Sequence, residues 1–134
     1  MRTITDHIVS GDQAVQLNIT VTDEPGAGGA NHRYDIIGFD TETNPSRETF
    51  DKYSARQRLQ ILFQNGPIKE NGVNGITQEA LAAIIIDRLR SFQAGPFSSD
   101  YNAKALACFE EGLGWLQQRT KDRIARGVEG TTAA

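Results

Sequence analysis

The chain has 134 residues, enough for one domain with a core, and its 38% hydrophobic and 23% charged content is that of a globular protein, neither disordered nor membrane-spanning. A net charge of −3 argues against a general binder of nucleic-acid polymers, and the single cysteine, Cys108, excludes an internal disulfide and points to a reducing cytoplasm. The longest apolar run, residues 80–86, falls far short of the ~20 residues a spanning helix needs, and residues 1–10 lack the charged-then-apolar order of a secretory signal.

The first half reads as β. Residues 2–9 and 14–22 are rich in Ile, Val and Thr, and the second run alternates Val15, Leu17, Ile19 and Val21 against Gln16, Asn18, Thr20 and Thr22, the period of a half-buried antiparallel strand. Pro25, Gly26, Gly28 and Gly29 mark a mobile loop. Residues 32–39 make a third strand candidate, residues 44–52 a polar loop, and residues 53–64 a fourth strand alternating Leu59, Ile61 and Phe63 against Arg58, Gln60 and Leu62.

The second half reads as two helices. Thr77 can cap the first, and Glu79 in the first turn suits the helix dipole. Leu81, Ile84, Ile85, Leu89 and Phe92 then share one face before Gly95-Pro96 stops the helix. Ser99 or Asp100 can cap the second, along which Leu106, Phe109, Leu113, Leu116 and Thr120 step by three and four until Gly127 ends it. The expected class is α+β: a small N-terminal antiparallel sheet, then an antiparallel two-helix hairpin. One domain is expected, divided into a β-rich part (1–65), a glycine-rich loop (66–76), the hairpin (77–127) and a tail (128–134).

Three features carry possible chemistry. The loop holding Gly66, Gly72 and Gly75 is not a P-loop, because Val73 and Asn74 follow Gly72 where Lys and Ser or Thr are required. Amides near Gly75 and Thr77 can still hold a phosphate, although a plain strand-to-helix connection fits the spacing as well. Arg119, Arg123 and Arg126 lie four and three residues apart, on one side of the last helix. Such guanidinium groups grip phosphate oxygens, and the same stripe also fits a solvated helix C-terminus. Finally, Asp40 and Glu42, at the end of an apolar strand, resemble the first motif of DEDD-type exonucleases, where paired carboxylates bind two metals. No histidine follows Glu42, and Tyr53 and Tyr101 have Gln57 and Ala105 where a partner Asp is needed, so a turn or strand-end solvation fits better. His7 and His32 have no partners at metal-ligand spacing. Cys108 is expected to pack against the apolar side of its helix, and Trp115 to serve the core, an oligomer contact or a stacking surface.

The string Gly66-Pro67-Ile68-Lys69-Glu70-Asn71-Gly72-Val73-Asn74-Gly75 resembles the loop of the first family of phage Thoeris anti-defence proteins. The resemblance continues through Asn102-Ala103-x-Ala105-Leu106, Phe109-Glu110-Glu111-Gly112-Leu113-x-Trp115-Leu116 and Arg119-Thr120-x-x-Arg123-x-x-Arg126-Gly127-Val128-Glu129-Gly130-Thr131. It covers roughly residues 59–131; Gly112 departs from it, standing where the family more often has Ala. The resemblance implies a sponge and not an enzyme, with no catalytic residue, cofactor or metal. Such proteins form homodimers and sometimes hexamers in the cytoplasm of the infected bacterial host. They bind cyclic ADP-ribose isomers made by TIR-domain enzymes and release them intact. Some also hold cyclic trinucleotides at a separate site; neither membrane nor nucleic-acid polymer is a partner.

For a glycocyclic ADP-ribose, Arg119 and Arg123 are expected to take the diphosphate, with Arg126 in second rank. Phe63 would stack on adenine, and Asn71, Asn74 and the backbone at Gly75 would meet ribose hydroxyls or base edges. Arg33, Arg56 and Arg58 are weaker candidates for ligand contact or a second site. A nanomolar Kd is about −12 kcal/mol and requires nearly complete enclosure of the ligand, so the pocket is expected to be shared between chains.

Overall fold

The computed structural model of the chain describes residues 1–47 and 57–133. It divides into two compact units, Met1–Asn65 and Gly66–Ala134.

The first unit is a four-stranded antiparallel meander of β1 (Arg2–Ile4), β2 (Asn18–Val21), β3 (Arg33–Ile37) and β4 (Arg58–Leu62), paired in chain order. Because side chains alternate across a strand, the register puts Ile19, Val21, Tyr34, Ile36, Leu59 and Ile61 on one face. Thr20, Asp35 and Gln60 form a row on the other. Val21 is the best-buried of them, at 1% exposed.

The strands are shorter than the alternation predicts. Residues 13–16 form a 3₁₀ turn, so β2 begins at Asn18, and the Leu17 carbonyl meets His7 Nε2 at 2.8 Å. Gly38 ends β3 with φ +95°, and a Cβ there would lie 1.9 Å from the Gln16 carbonyl oxygen. The close pass of these two backbone segments therefore requires glycine. Residues 53–56 of the expected fourth strand lie outside the described residues.

Asp23 organises the glycine-rich connection between β2 and β3. Its carboxylate accepts from the amides of His32, at 3.0 Å, and Arg33, at 3.2 Å, while its carbonyl accepts from Asn31 Nδ2 at 2.7 Å. Desolvation pushes its carboxyl up, but the two amides, the nearby His32 ring and Asn31 outweigh it and hold the group below its ordinary value of 3.8. Gly26 closes the loop, its amide donating to the Ala30 carbonyl at 2.8 Å. The segment expected to be mobile thus carries a defined set of hydrogen bonds.

The second unit contains the single-turn α1 (Ile68–Asn71), α2 (Gln78–Gln93) and α3 (Asp100–Ala125), with α2 packed on α3 as a hairpin. Both caps are where the sequence puts them. Thr77 accepts from the Ala80 amide at 3.1 Å, and Ser99 from the Asn102 amide at 3.0 Å. Gly127, at φ +73°, closes α3 in a Schellman motif: its amide donates to Ile124 and that of Val128 to Arg123.

The packed face of α2 differs from the expected one. Ile86 is buried, with Ala82, Leu89 and Gln93 half-buried beside it, whereas Ile84 is 58% exposed and Ile85 and Phe92 remain on the rim. Three consecutive isoleucines leave the phase of a 3.6-residue period ambiguous, and the spacing of Ala82, Ile86 and Leu89 selects the third. Arg88 lies over the Phe92 ring at 5.5 Å. On α3, Leu106, Leu113, Leu116 and Thr120 turn inward as expected, whereas Phe109, expected on the same seam, is 41% exposed. Cys108 is exposed and not packed, and Trp115 is 69% exposed. Arg90 and Glu110 bridge the hairpin at 3.0 Å.

Candidate functional site

The loop from Gly66 to Gly75 is more structured than its glycines suggest. Pro67 stands before the first turn of α1, where a missing N–H costs nothing, and Gly72 ends the turn with its amide on the Ile68 carbonyl. Asn71 Nδ2 donates to the Pro67 carbonyl at 3.2 Å. Gly66, at φ +90°, leaves room for this, since a Cβ on it would come within 2.4 Å of that nitrogen. Asn71 thus braces its own turn. Asn74 is exposed and Gly75 half-buried.

The arginine stripe splits three ways. Arg119 is exposed. Arg126 is also exposed, with Nε 3.0 Å from Asp122 Oδ2, an i,i+4 pair worth a few tenths of a kcal/mol. Arg123 is 7% exposed, buried against the residues that follow the helix. Its Nε meets Glu129 Oε2 at 3.0 Å, its Nη2 donates to the carbonyls of Val128 and Thr131, and its Nη1 donates to that of Ala133. Of the three arginines expected to meet a diphosphate, Arg123 is therefore the one committed to the chain's own tail. The signal for this was Glu129: a carboxylate just beyond a helix C-terminus is unfavourable unless a cation meets it.

In the sheet unit, Phe63 is half-buried, edge-on to Tyr34 with centroids 5.6 Å apart, and its amide donates to the His32 carbonyl. The T-shaped contact supports its ring, as a stacking surface requires. Arg33 donates from Nε to Thr22 Oγ1 at 2.7 Å. Arg58 grips Asp35 through Nε and Nη2, and Gln60 joins them. Arg56 lies outside the described residues. Asp40 accepts from the Glu42 amide at 2.9 Å, a local Asx turn that matches the turn reading of this pair. Among the described residues, no group of three or more His, Cys, Asp or Glu is placed to hold a metal, and no helix is long and apolar enough to cross a membrane.

Residues 56–121, which take in β4, α1, α2 and most of α3, match the family model of the Acb2/Tad1 hairpin domain. That stretch, just under half of the chain, is similar to the hairpin domain. It is also similar to Thoeris anti-defense 1 of Bacillus phage SBSphiJ7, with 43% identity over 86 residues. The aligned stretch is 64% of this chain and 61% of that relative's length. The resemblance drawn from the loop and the C-terminal string is thus shown: the chain is related to the anti-Thoeris proteins. Within the hairpin domain fall Phe63, Asn71, Asn74, Gly75 and Arg119; Arg123, Arg126 and the tail lie beyond the matched residues.

Proposed function

We propose that this protein counters Thoeris-type defence by binding and sequestering glycocyclic ADP-ribose signals, without cleaving them, in the cytoplasm of the infected host. The observation that carries the reading is the hairpin domain together with the kinship to a Thoeris anti-defense protein. The surface chemistry is compatible with it. Arg119 is an exposed cation for a diphosphate, and Asn71 and Asn74 are exposed amides.

The hairpin also supports a shared pocket. Tyr101 and Trp115 are 85% and 69% exposed in the single chain, and Ile84 and Phe109 join them on the surface. Burying them against another copy would remove apolar area from water and enclose a ligand that one surface loop leaves open. A dimer or hexamer is the expected assembly, with cyclic trinucleotides as a second class of ligand at a separate site.

The test is calorimetry with cyclic ADP-ribose isomers, followed by heat denaturation and recovery of the nucleotide. A sponge binds with submicromolar Kd and returns the ligand intact, and ligand at 100 times Kd adds about 2.7 kcal/mol to stability. Absence of binding across the isomers, or a ligand recovered cleaved, would refute the reading. Native mass spectrometry with the same ligands reads the assembly.

A further inference from the structure

The use the chain makes of Arg123 leads beyond ligand capture. A buried guanidinium is costly unless its donors are met, and here four acceptors on residues 128–133 meet it. The tail so held does not stop at α3. The Gly130 carbonyl accepts from the Lys69 amide at 3.2 Å, and Gly130 packs so near the Lys69 stem that a Cβ on it would lie 3.3 Å from Lys69 Cγ. Lys69 stands in the first turn of α1, where amides have no acceptor within the helix, so the tail supplies one. Asn71 is two residues further on, braced on Pro67 in the same turn.

We propose that Arg123 is a positioning residue: acting through the tail, it fixes the single turn that presents Asn71, and does not itself grip the anion. For ligand binding the proposal rests on the function proposed above; the mechanical link does not. Glu129 and Gly130 become parts of the device, one neutralising the buried cation and the other allowing close contact with α1 at φ +79°. All of its tail-side parts lie beyond the residues matched by the hairpin family model.

Two substitutions break the link at opposite ends. Arg123→Ala removes the donors; Gly130→Val leaves Arg123 intact but forces a branched side chain against Lys69 at a strained φ. Hydrogen exchange at the Lys69 amide is read in both variants and in the double variant, with circular dichroism confirming that α2 and α3 persist. Exchange at Lys69 is expected to rise about tenfold or more in each single variant. Affinity for cyclic ADP-ribose is expected to fall by a similar factor in each, with the double variant no worse than the singles.

Unchanged Lys69 exchange in folded Arg123→Ala would overturn the link. A Gly130→Val protein that binds as wild type despite fast Lys69 exchange, beside an Arg123→Ala protein that has lost binding, would overturn the positioning role in favour of direct contact. Should Arg123→Ala fail to fold, Arg123→Lys, which keeps the charge but loses the forked donors, replaces it in the same exchange and affinity measurements with the same expected and overturning results. If the unsubstituted protein binds none of the isomers, it is the proposed function that fails, and Lys69 exchange still decides the link.

Discussion

The sheet unit and the helical unit leave different side chains exposed. Both expose aliphatic groups, Val9 and Leu59 at 64% and 51% in the first, but among the described residues the exposed aromatic side chains lie in the second. In the sheet unit, charged groups are spent locally: Asp23 on the amides of its own connection, Arg33 on Thr22, Arg58 on Asp35. In the helical unit the backbone ends are closed by Thr77, Ser99 and Gly127, while Ile84, Trp115 and Tyr101 stand exposed. Large exposed aromatic side chains gain most from a partner that covers them. Association with a second chain is therefore expected to act through the hairpin.

The largest expected effect separates the two faces of α2. Ile86→Ala removes a side chain that is 3% exposed and should cost about 2–4 kcal/mol in denaturant unfolding. Ile84→Ala, at a position 58% exposed, should cost under about 0.5 kcal/mol in dilute monomer. Equal costs at low protein concentration would show that the outward face is buried within one chain, and the contrast drawn above would fall.

Gly38→Ala tests the sheet unit in the same manner. The new Cβ meets the Gln16 carbonyl at a φ that L residues avoid, so a loss of about 1–3 kcal/mol is expected. The strand pairing of β2 and β3 should suffer first, visible as faster amide exchange at Ile19 and Ile36, which lie opposite each other. Wild-type stability for this variant would mean that the two backbone segments can part at no cost. Ser99→Ala is milder: loss of the cap on Asn102 should cost about 1 kcal/mol and fray the first turn of α3.

Acid titration probes the charges that the sheet unit satisfies locally. The Asp23 carboxyl is held below its ordinary value, so its contribution is fully present above pH of about 4 and is lost as pH falls through the lowered value. Asp23→Asn should lower stability at neutral pH and flatten this acid limb. A limb as steep as wild type would assign the acid sensitivity to other carboxylates.

Much of this arrangement was legible in the sequence. Thr77, Ser99 and Gly127 cap where their chemistry dictates, because a cap depends on a residue and its immediate neighbours. Alternation placed Ile19, Val21, Leu59 and Ile61 on one face for the same local reason. What escaped depends on contacts distant along the chain. Helical spacing does not show that three tail carbonyls will surround Arg123, and only Glu129, just past the helix C-terminus, pointed toward it. The inward choice of Ile86 over Ile84 and Ile85 follows from α3, not from α2 itself. The strand ends likewise escaped, since Gly38 and Gln16 collide only once β2 and β3 are paired. Of the arginines, spacing showed that a cluster was possible, and burial divided it.

One small effect asked of the hairpin is a gain. Gly112 lies within α3, and a Cβ there would meet nothing within 4 Å. Alanine restricts the unfolded chain and suits a helix better, so Gly112→Ala should stabilise the monomer by about 0.5–1 kcal/mol. The sign of the change in the assembled protein is the informative part. If a second chain approaches α3 at Gly112, the added methyl meets backbone or side chains, and the dimerisation constant weakens even as the monomer gains. If the contact lies instead around Trp115 and Tyr101, both quantities improve or stay level. Sedimentation of Gly112→Ala against wild type over a dilution series separates these cases, and so locates which part of the exposed hairpin another copy would cover.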